Sequence, residues 1–167
     1  MRDSVGDRPR IDVTMQVNGR AVSLTIEPRE TLAFVLRERL GLTGAKVSCD
    51  AQVCGACTVL VNDRSVSACT FLAFDADRAD VESVEGLAKG GTLTLLQQAF
   101  IDCGAFQCGY CTPGMVMAAT ELLRDNPNPS RSEVIDHLEG NICRCTGYEP
   151  IVSAVLVAAE RMAGREG

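Results

Sequence analysis

Residues 49–57 read Cys-Asp-Ala-Gln-Val-Cys-Gly-Ala-Cys, and a fourth cysteine, Cys69, follows after eleven further residues. Three cysteines in the order Cys-x4-Cys-x2-Cys, with a fourth downstream, form the plant-type ligand spacing of a [2Fe–2S] cluster. Thiolates are soft ligands that suit iron–sulfur clusters. The spacing therefore predicts a cluster held by Cys49, Cys54, Cys57 and Cys69, with the surrounding chain folded around that loop.

A second set of four cysteines lies downstream. Cys108 and Cys111 form a Cys-x2-Cys pair, and Cys143 and Cys145 form a Cys-x-Cys pair after a gap of 31 residues. This spacing is less specific than the first, because a long gap is compatible with several kinds of site. Two quartets in one chain predict two redox centres and a function in electron transfer.

Other readings of the cysteines fit less well. Zinc ribbons repeat Cys-x2-Cys after about 15–20 residues, and neither quartet does. A Rieske centre needs two histidines, whereas His137 is the one histidine of the chain and is interpreted as a polar-face residue. The ninth cysteine, Cys103, makes a complete disulfide framework impossible. It is interpreted as a small apolar packing residue near a helix end.

Composition limits the other function classes. The 167 residues suffice for one domain or two small ones. A net charge of −6 gives no electrostatic footprint for nucleic acid. Residues 1–10 lack the apolar region of a signal peptide, and the longest near-apolar run, 151–159, is too short to span a bilayer. We expect a cytoplasmic protein with no transmembrane segment, where thiols stay reduced.

The first half of the chain alternates between strand and helix patterns. Residues 11–17 and 21–26 alternate as strands around Asn18-Gly19, a strong hairpin signal. An apolar stripe over 32–40 predicts a helix that ends at Gly41. A further strand is predicted at Thr58–Val61, and after a turn at Asn62-Asp63 the returning strand begins at Val66. Val81 and Val84 mark one more strand. This pattern predicts a small α+β sheet with its helix on one face.

From Leu93 onward the periodicity becomes helical. Four short helices are predicted, and their apolar stripes are Leu93, Leu96 and Phe100, then Met115, Ala118 and Leu122, then Val134 and Leu138, and finally Ile151, Val155, Ala158 and Met162. Their N-terminal signals are Thr94-x-x-Gln97, Thr112-Pro113, Ser130-x-x-Glu133 and Thr146-x-x-Glu149. Four helices with short connections predict a bundle.

The two downstream cysteine pairs share a local pattern. Each pair is followed directly by a threonine that is predicted to cap the next helix, so both helix N-termini would direct amide groups towards sulfur. Gly55 and Gly109 each follow a cysteine and permit close backbone approach to sulfur, because they lack Cβ. Gly44 fits either this role or a simple turn.

Three motifs together resemble the xanthine oxidase family of molybdenum hydroxylases. They are Cys49-Asp50-x3-Cys54-Gly55-x-Cys57-Thr58, Gln107-Cys108-Gly109-Tyr110-Cys111-Thr112-Pro113-Gly114 and Asn141-Ile142-Cys143-Arg144-Cys145-Thr146-Gly147-Tyr148. The chain resembles most closely the separate small iron–sulfur subunit of these enzymes, over about residues 10–163. The resemblance implies a flexible arm at 1–9, a plant-ferredoxin-like β-grasp domain at 10–84, a four-helix bundle with the second [2Fe–2S] site at 85–163, and a tail at 164–167.

The resemblance also implies roles for individual residues. Cys49, Cys54, Cys57 and Cys69 would hold a distal cluster near a flavin, and Cys108, Cys111, Cys143 and Cys145 a proximal cluster. Gln107 would contact the pterin, and Cys145 would be the ligand nearest to it.

The implied partners are a large subunit with molybdopterin, in its cytosine dinucleotide form, and a medium subunit with FAD, assembled as a dimer of heterotrimers. The chain itself would carry no catalytic residue and would relay electrons from molybdenum to FAD. Substrates of such enzymes include carbon monoxide, N-heteroaromatics, purines and aldehydes. The alternative function is a freestanding two-cluster ferredoxin or a redox sensor.

Overall fold

The computed structural model describes residues 9–164. The arm expected at 1–9 lies outside the described residues except for Pro9, and the tail expected at 164–167 except for Gly164. No helix within 9–164 is long and apolar enough to cross a membrane.

One five-stranded sheet organises the first half of the chain. Its strands are β1 (Ile11–Val17), β2 (Arg20–Ile26), β3 (Thr58–Val61), β4 (Arg64–Ser67) and β5 (Asp80–Glu82). They lie in the order β2-β1-β5-β3-β4, in which β1 and β5 are parallel and the other neighbours antiparallel. The predicted turns are confirmed: Asn18-Gly19 and Asn62-Asp63 all have positive φ, the backbone that tight hairpins require.

A short helix packs against this sheet. Helix α1 (Leu32–Phe34) is capped by the Thr31 side chain and continues as a wider π-helical turn at Val35–Arg39. Leu32, Val35 and Leu36 are fully buried in the same apolar cluster as the β1 residues Val13, Met15 and Val17. The predicted helix at 32–40 is therefore confirmed, and Gly41 follows it with a φ of 69°.

The last strand is shorter than the sequence indicated. Val84 does not extend β5 but begins a one-turn helix, α2 (Val84–Leu87). The Val84 side chain packs against the apolar cluster of the helical half. Two valines three residues apart fit either element, and tertiary packing decided between them.

Four longer helices form the second half: α3 (Leu95–Asp102), α4 (Thr112–Asp125), α5 (Arg131–Leu138) and α6 (Glu149–Ala163). The capping boxes predicted at Thr94–Gln97 and Ser130–Glu133 are both present. Leu93, expected in the first stripe, lies before α3 and is 41% exposed.

The prediction that Thr112 caps α4 and Thr146 caps α6 was wrong at both positions. Thr112 is the first residue of α4, whose cap position is Cys111, and the Thr112 hydroxyl is buried without a partner in the described structure. Helix α6 begins at Glu149 rather than at Thr146, and its cap position is Tyr148. The Thr146 hydroxyl instead lies 3.2 Å from the Cys143 sulfur and accepts a hydrogen bond from the Tyr148 amide.

The two halves share strand β3. Val59 and Val61 point into the apolar cluster of the sheet, whereas Leu60 points into the cluster of the helices. Successive residues of a strand face opposite sides, so β3 is buried on both faces. Helix α4 lies against it, and its Glu121 side chain accepts a hydrogen bond of 3.1 Å from the Ser65 amide of β4.

Candidate metal centres

The first cysteine group lies on one curled loop and the end of β4. Asp50, Gln52 and Gly55 have φ of 52°, 56° and 66°, so the chain turns sharply between the cysteines. The amides of Val53 and Cys54 both donate to Cys49 Sγ over 3.4 Å. The loop thus folds its own backbone donors around one sulfur.

Burial differs among these four thiols, and so does their acidity. Cys57 and Cys69 are 2% and 4% exposed, whereas Cys49 and Cys54 are half-buried. Hydrogen bonds from the amides of Val53, Ala51 and Cys54 lower the pKa of Cys49 to about 6. Burial, followed by the neighbouring Cys69 thiol, raises the pKa of Cys57 to about 12.

The second cysteine group comes from two separate loops. Cys108 and Cys111 lie between α3 and α4, and Cys143 and Cys145 lie between α5 and α6. The structure brings the pairs together: Cys145 Sγ lies 3.6 Å from Cys108 Sγ. Cys143 is buried and Cys111 half-buried, while Cys108 and Cys145 are exposed.

Neighbouring thiols and burial shift the pKa values of this group in different directions. Burial first, and then a hydrogen bond to Cys143, raise the pKa of Cys111 to about 12. For Cys143, burial acts to raise the pKa, but hydrogen bonds from the Thr146 side chain and from nearby amides outweigh it and lower the pKa. A hydrogen bond to Cys108 raises the pKa of Cys145.

The donor chemistry of both groups fits iron–sulfur ligation. Each group contains four cysteines, the number of thiolates that hold a [2Fe–2S] cluster. Within residues 9–164, no three His, Cys, Asp or Glu side chains converge as ligands of a single ion. The thiols instead contact one another pairwise, as in the Cys108–Cys145 pair. Iron would deprotonate every coordinating thiol, including Cys57 and Cys111, so loading would release protons.

Glycines next to the cysteines have backbone conformations that favour glycine. Gly55 and Gly109 have φ of 66° and 79°, as sharp turns require, whereas their predicted close approach to sulfur stays a prediction. A Cβ on Gly55 would lie 2.6 Å from the Gly140 carbonyl oxygen. Gly44 has a different role from either alternative: a Cβ there would lie 2.4 Å from Val84 Cγ1, so this glycine allows α2 to pack closely.

The remaining sequence candidates lie outside these contacts. Gln107 is exposed directly before Cys108. Cys103 is the C-terminal cap residue of α3 and packs partly buried against the helical cluster. His137 is partly buried, with Nε2 3.0 Å from the Ala118 carbonyl oxygen and 3.6 Å from a Glu121 carboxylate oxygen, so it joins α5 to α4.

Three residues near the cysteines received no role from the sequence. The Tyr148 hydroxyl accepts a hydrogen bond of 3.0 Å from the Cys143 amide, and Tyr148 has a φ of 70°. The buried Asn141 side chain donates to the Gly55 carbonyl over 3.0 Å. The Tyr110 hydroxyl donates to the Val47 carbonyl over 2.7 Å. Their sequence signals are a position within three residues of a cysteine and membership of the quoted motifs.

Two family models match the chain. Residues 15–94 match the 2Fe-2S iron-sulfur cluster binding domain, and residues 83–156 match the [2Fe-2S] binding domain. The first match contains the first cysteine group, and the second contains the other group.

Known proteins resemble the chain over almost its whole length. The nicotinate dehydrogenase small FeS subunit of Eubacterium barkeri is 46% identical over 92% of this chain and 98% of its own. The structure of quinoline 2-oxidoreductase from Pseudomonas putida 86 matches with a TM-score of 0.89 and 43% identity, covering 95% of this chain and 98% of that one. Aldehyde oxidoreductase from Desulfovibrio gigas also matches with a TM-score of 0.89, at 40% identity, but the match covers 93% of this chain and 17% of that longer chain.

Proposed function

Because this chain belongs to the small iron–sulfur subunits of the xanthine oxidase family of molybdenum hydroxylases, we propose that it is the electron-relay subunit of such an enzyme. It carries two [2Fe–2S] clusters and is a non-catalytic part of an oxidoreductase. Electrons pass from a molybdopterin site in one partner subunit to FAD in another. The substrate is bound by the molybdopterin subunit and does not meet this chain.

One observation supports the proposal: eight cysteines lie in two groups of four in adjoining halves of the chain, and Cys145 Sγ lies 3.6 Å from Cys108 Sγ in the second group. We assign Cys49, Cys54, Cys57 and Cys69 to the cluster nearer FAD. Cys108, Cys111, Cys143 and Cys145 are assigned to the cluster nearer molybdopterin. When bound, the clusters supply one-electron oxidation and reduction. The chain supplies thiolates, backbone amides and burial, the features that set cluster potential.

The exposure pattern supports a partner interface beside the second cysteine group. Cys57, Cys69 and Cys143 are shielded by the apolar clusters, which keep water from one side of each quartet. Cys108 and Cys145 face outward beside three exposed apolar side chains, Phe106, Tyr110 and Ile142, which are 42%, 46% and 46% exposed. Exposed apolar groups of this kind mark protein interfaces. This face is proposed to meet the molybdopterin subunit, with Gln107 and Cys145 towards the pterin.

The finer architecture forms part of the proposal. The sheet with α1 is assigned to a β-grasp domain at 10–84, and α3–α6 to a four-helix bundle at 85–163. The separate apolar clusters support this division, although Leu60 of β3 packs with the helices. The match to part of the longer aldehyde oxidoreductase chain supports an assembly with larger catalytic parts. We propose a dimer of heterotrimers in the cytoplasm, where the thiols stay reduced before loading.

The test is purification of the tagged chain from its own host, followed by iron analysis, EPR spectroscopy and identification of co-purifying subunits. We expect subunits with molybdopterin and FAD, and two distinguishable [2Fe–2S] signals after reduction. A single [4Fe–4S] signal would overturn the cluster assignment. A monomer that exchanges electrons with soluble reductases would instead establish a freestanding ferredoxin.

A further inference from the structure

The loops of the two cysteine groups lie directly against each other. The Ile142 amide donates to the Cys54 carbonyl over 2.9 Å. This bond joins a residue next to Cys143 in the second group with a cysteine of the first. The Asn141 side chain adds a bond of 3.0 Å to the neighbouring Gly55 carbonyl. One backbone and one side-chain hydrogen bond therefore join one end of the seam, the contact between the loop of the first group and the loops of the second.

Glycines bring the two backbones together at this end. A Cβ on Gly114 would lie 2.1 Å from the Gly55 carbonyl oxygen, and no real Cβ approaches an oxygen that closely. The N-terminal turn of α4 therefore rests on the loop between Cys54 and Cys57. Glycine at position 114 permits this close contact, but the contact does not by itself set the angle between the loops.

Tyr110 makes the second point of attachment. It lies between Cys108 and Cys111, and its hydroxyl donates to the carbonyl of Val47, two residues before Cys49, over 2.7 Å. Among the hydrogen bonds of residues 9–164, this is the one that joins the Cys108–Cys111 loop to the loop of the first group. Elsewhere the two halves are joined by Leu60 packing and by the Glu121–Ser65 bond, so the Tyr110 bond adds a constraint directly beside the thiols.

We propose that Tyr110 is a positioning residue that sets the separation and orientation of the two cysteine groups. The inference rests on the proposed function, because it concerns the step between the two clusters. One electron leaves the second group's site, which is oxidised, and arrives at that of the first, which is reduced. The Tyr110 hydroxyl keeps its proton, and no covalent bond changes. Its role is to hold the acceptor loop at a fixed place relative to the donor loop.

The test is Tyr110→Phe in the complete complex, with Tyr148→Phe as the matched control. Each variant removes one hydroxyl that bonds to backbone. The Tyr148 hydroxyl, however, bonds to Cys143 within the second group, whereas the Tyr110 hydroxyl crosses the seam. The first readout is the magnetic interaction between the two reduced clusters in low-temperature EPR. The second is hydrogen–deuterium exchange, by mass spectrometry, of the peptide containing Ile142.

For Tyr110→Phe we expect full iron content and unchanged g-values of each signal. The splitting between the two signals should change, and the Ile142 amide should exchange about fivefold faster, as one neutral hydrogen bond predicts. Tyr148→Phe should alter the second signal and leave the splitting unchanged. An unchanged splitting with unchanged Ile142 exchange in Tyr110→Phe would overturn the proposal. Loss of iron in that variant would also overturn it, because the hydroxyl would then be needed for assembly.

Failure of the proposed function would be visible separately. The wild-type complex would then lack two [2Fe–2S] signals, whatever the variants do. Hydrogen–deuterium exchange at Ile142 depends only on the contacts between the loops. It therefore tests the role of Tyr110 whether or not the proposed function is correct.

Discussion

The two cysteine groups present the same donor set but are built in different ways. The first is formed by one curled loop and the end of the adjacent hairpin, so all its thiols come from residues 49–69. The second needs two loops separated by helices α4 and α5, and its pairs meet through helix packing. A local loop can shape its site by backbone turns, whereas the second site exists only when the helical half is folded.

This comparison predicts that the two groups fail independently. Cys57→Ser should abolish the first [2Fe–2S] signal and keep the second, and Cys143→Ser should do the reverse, because no thiol is shared between the groups. These are the largest expected effects, with complete loss of one signal in each variant. EPR and iron analysis of both variants check this. Loss of both signals in either variant would show that the groups assemble as a unit.

Gly114→Ala should disturb the seam where both groups meet. Its Cβ would lie 2.1 Å from the Gly55 carbonyl oxygen, so the loop or α4 must shift. Overpacking of this kind costs about 1–3 kcal/mol in free energy of unfolding. Gly140→Ala is the matched control, because a Cβ there meets no atom within 4 Å. Denaturant unfolding compares the two, and equal stability of both variants would refute close packing at the seam.

Ser130→Ala should weaken the second group more than the first. Ser130 caps α5 through the Glu133 amide, and α5 leads directly to the loop of Cys143. Loss of an N-cap side chain costs about 1 kcal/mol. Thermal unfolding, combined with iron release from each group, measures the effect. Ser130→Asp, which keeps an acceptor at the cap, should restore stability, and its failure to do so would argue against capping.

Glu133→Gln should change how stability depends on pH. Hydrogen bonds from the Ser130 side chain, and then from its backbone amide, hold the pKa of Glu133 below its usual value. A lowered folded-state pKa contributes stability above the unfolded pKa, and this contribution is lost as the pH falls through the folded pKa. The difference between wild type and variant should therefore be largest at neutral pH and shrink below about pH 4. Urea titrations across this range test it, and a difference that grows in acid would contradict it.

Cys103→Ser should have the smallest effect. Cys103 packs partly buried against the helical cluster and lies in neither predicted quartet. We expect both EPR signals to persist and stability to fall by less than about 1 kcal/mol. Loss of either signal would show that the ligand sets are assigned wrongly.

Much of the fold followed from local signals. The hairpins at Asn18-Gly19 and Asn62-Asp63 were predictable because few residues tolerate positive φ. Two capping boxes were predictable because each needs only residues three positions apart. Thr112 and Thr146 were wrongly predicted as caps: α4 begins at Thr112 itself, and the Thr146 hydroxyl contacts the Cys143 sulfur while α6 begins three residues later.

The sequence by itself determined the number of cysteine quartets, their membership as predicted ligand sets, and the alternation of strand and helix around them. These depend on spacing and periodicity, which are local. Tertiary structure alone decided that Cys145 meets Cys108, that Leu60 joins the helices to the sheet, and that Tyr110 reaches Val47. Cys145 and Cys108 are 37 positions apart in the chain, and Tyr110 and Val47 are 63 apart. No local pattern encodes these contacts, because they arise from the packing of whole elements.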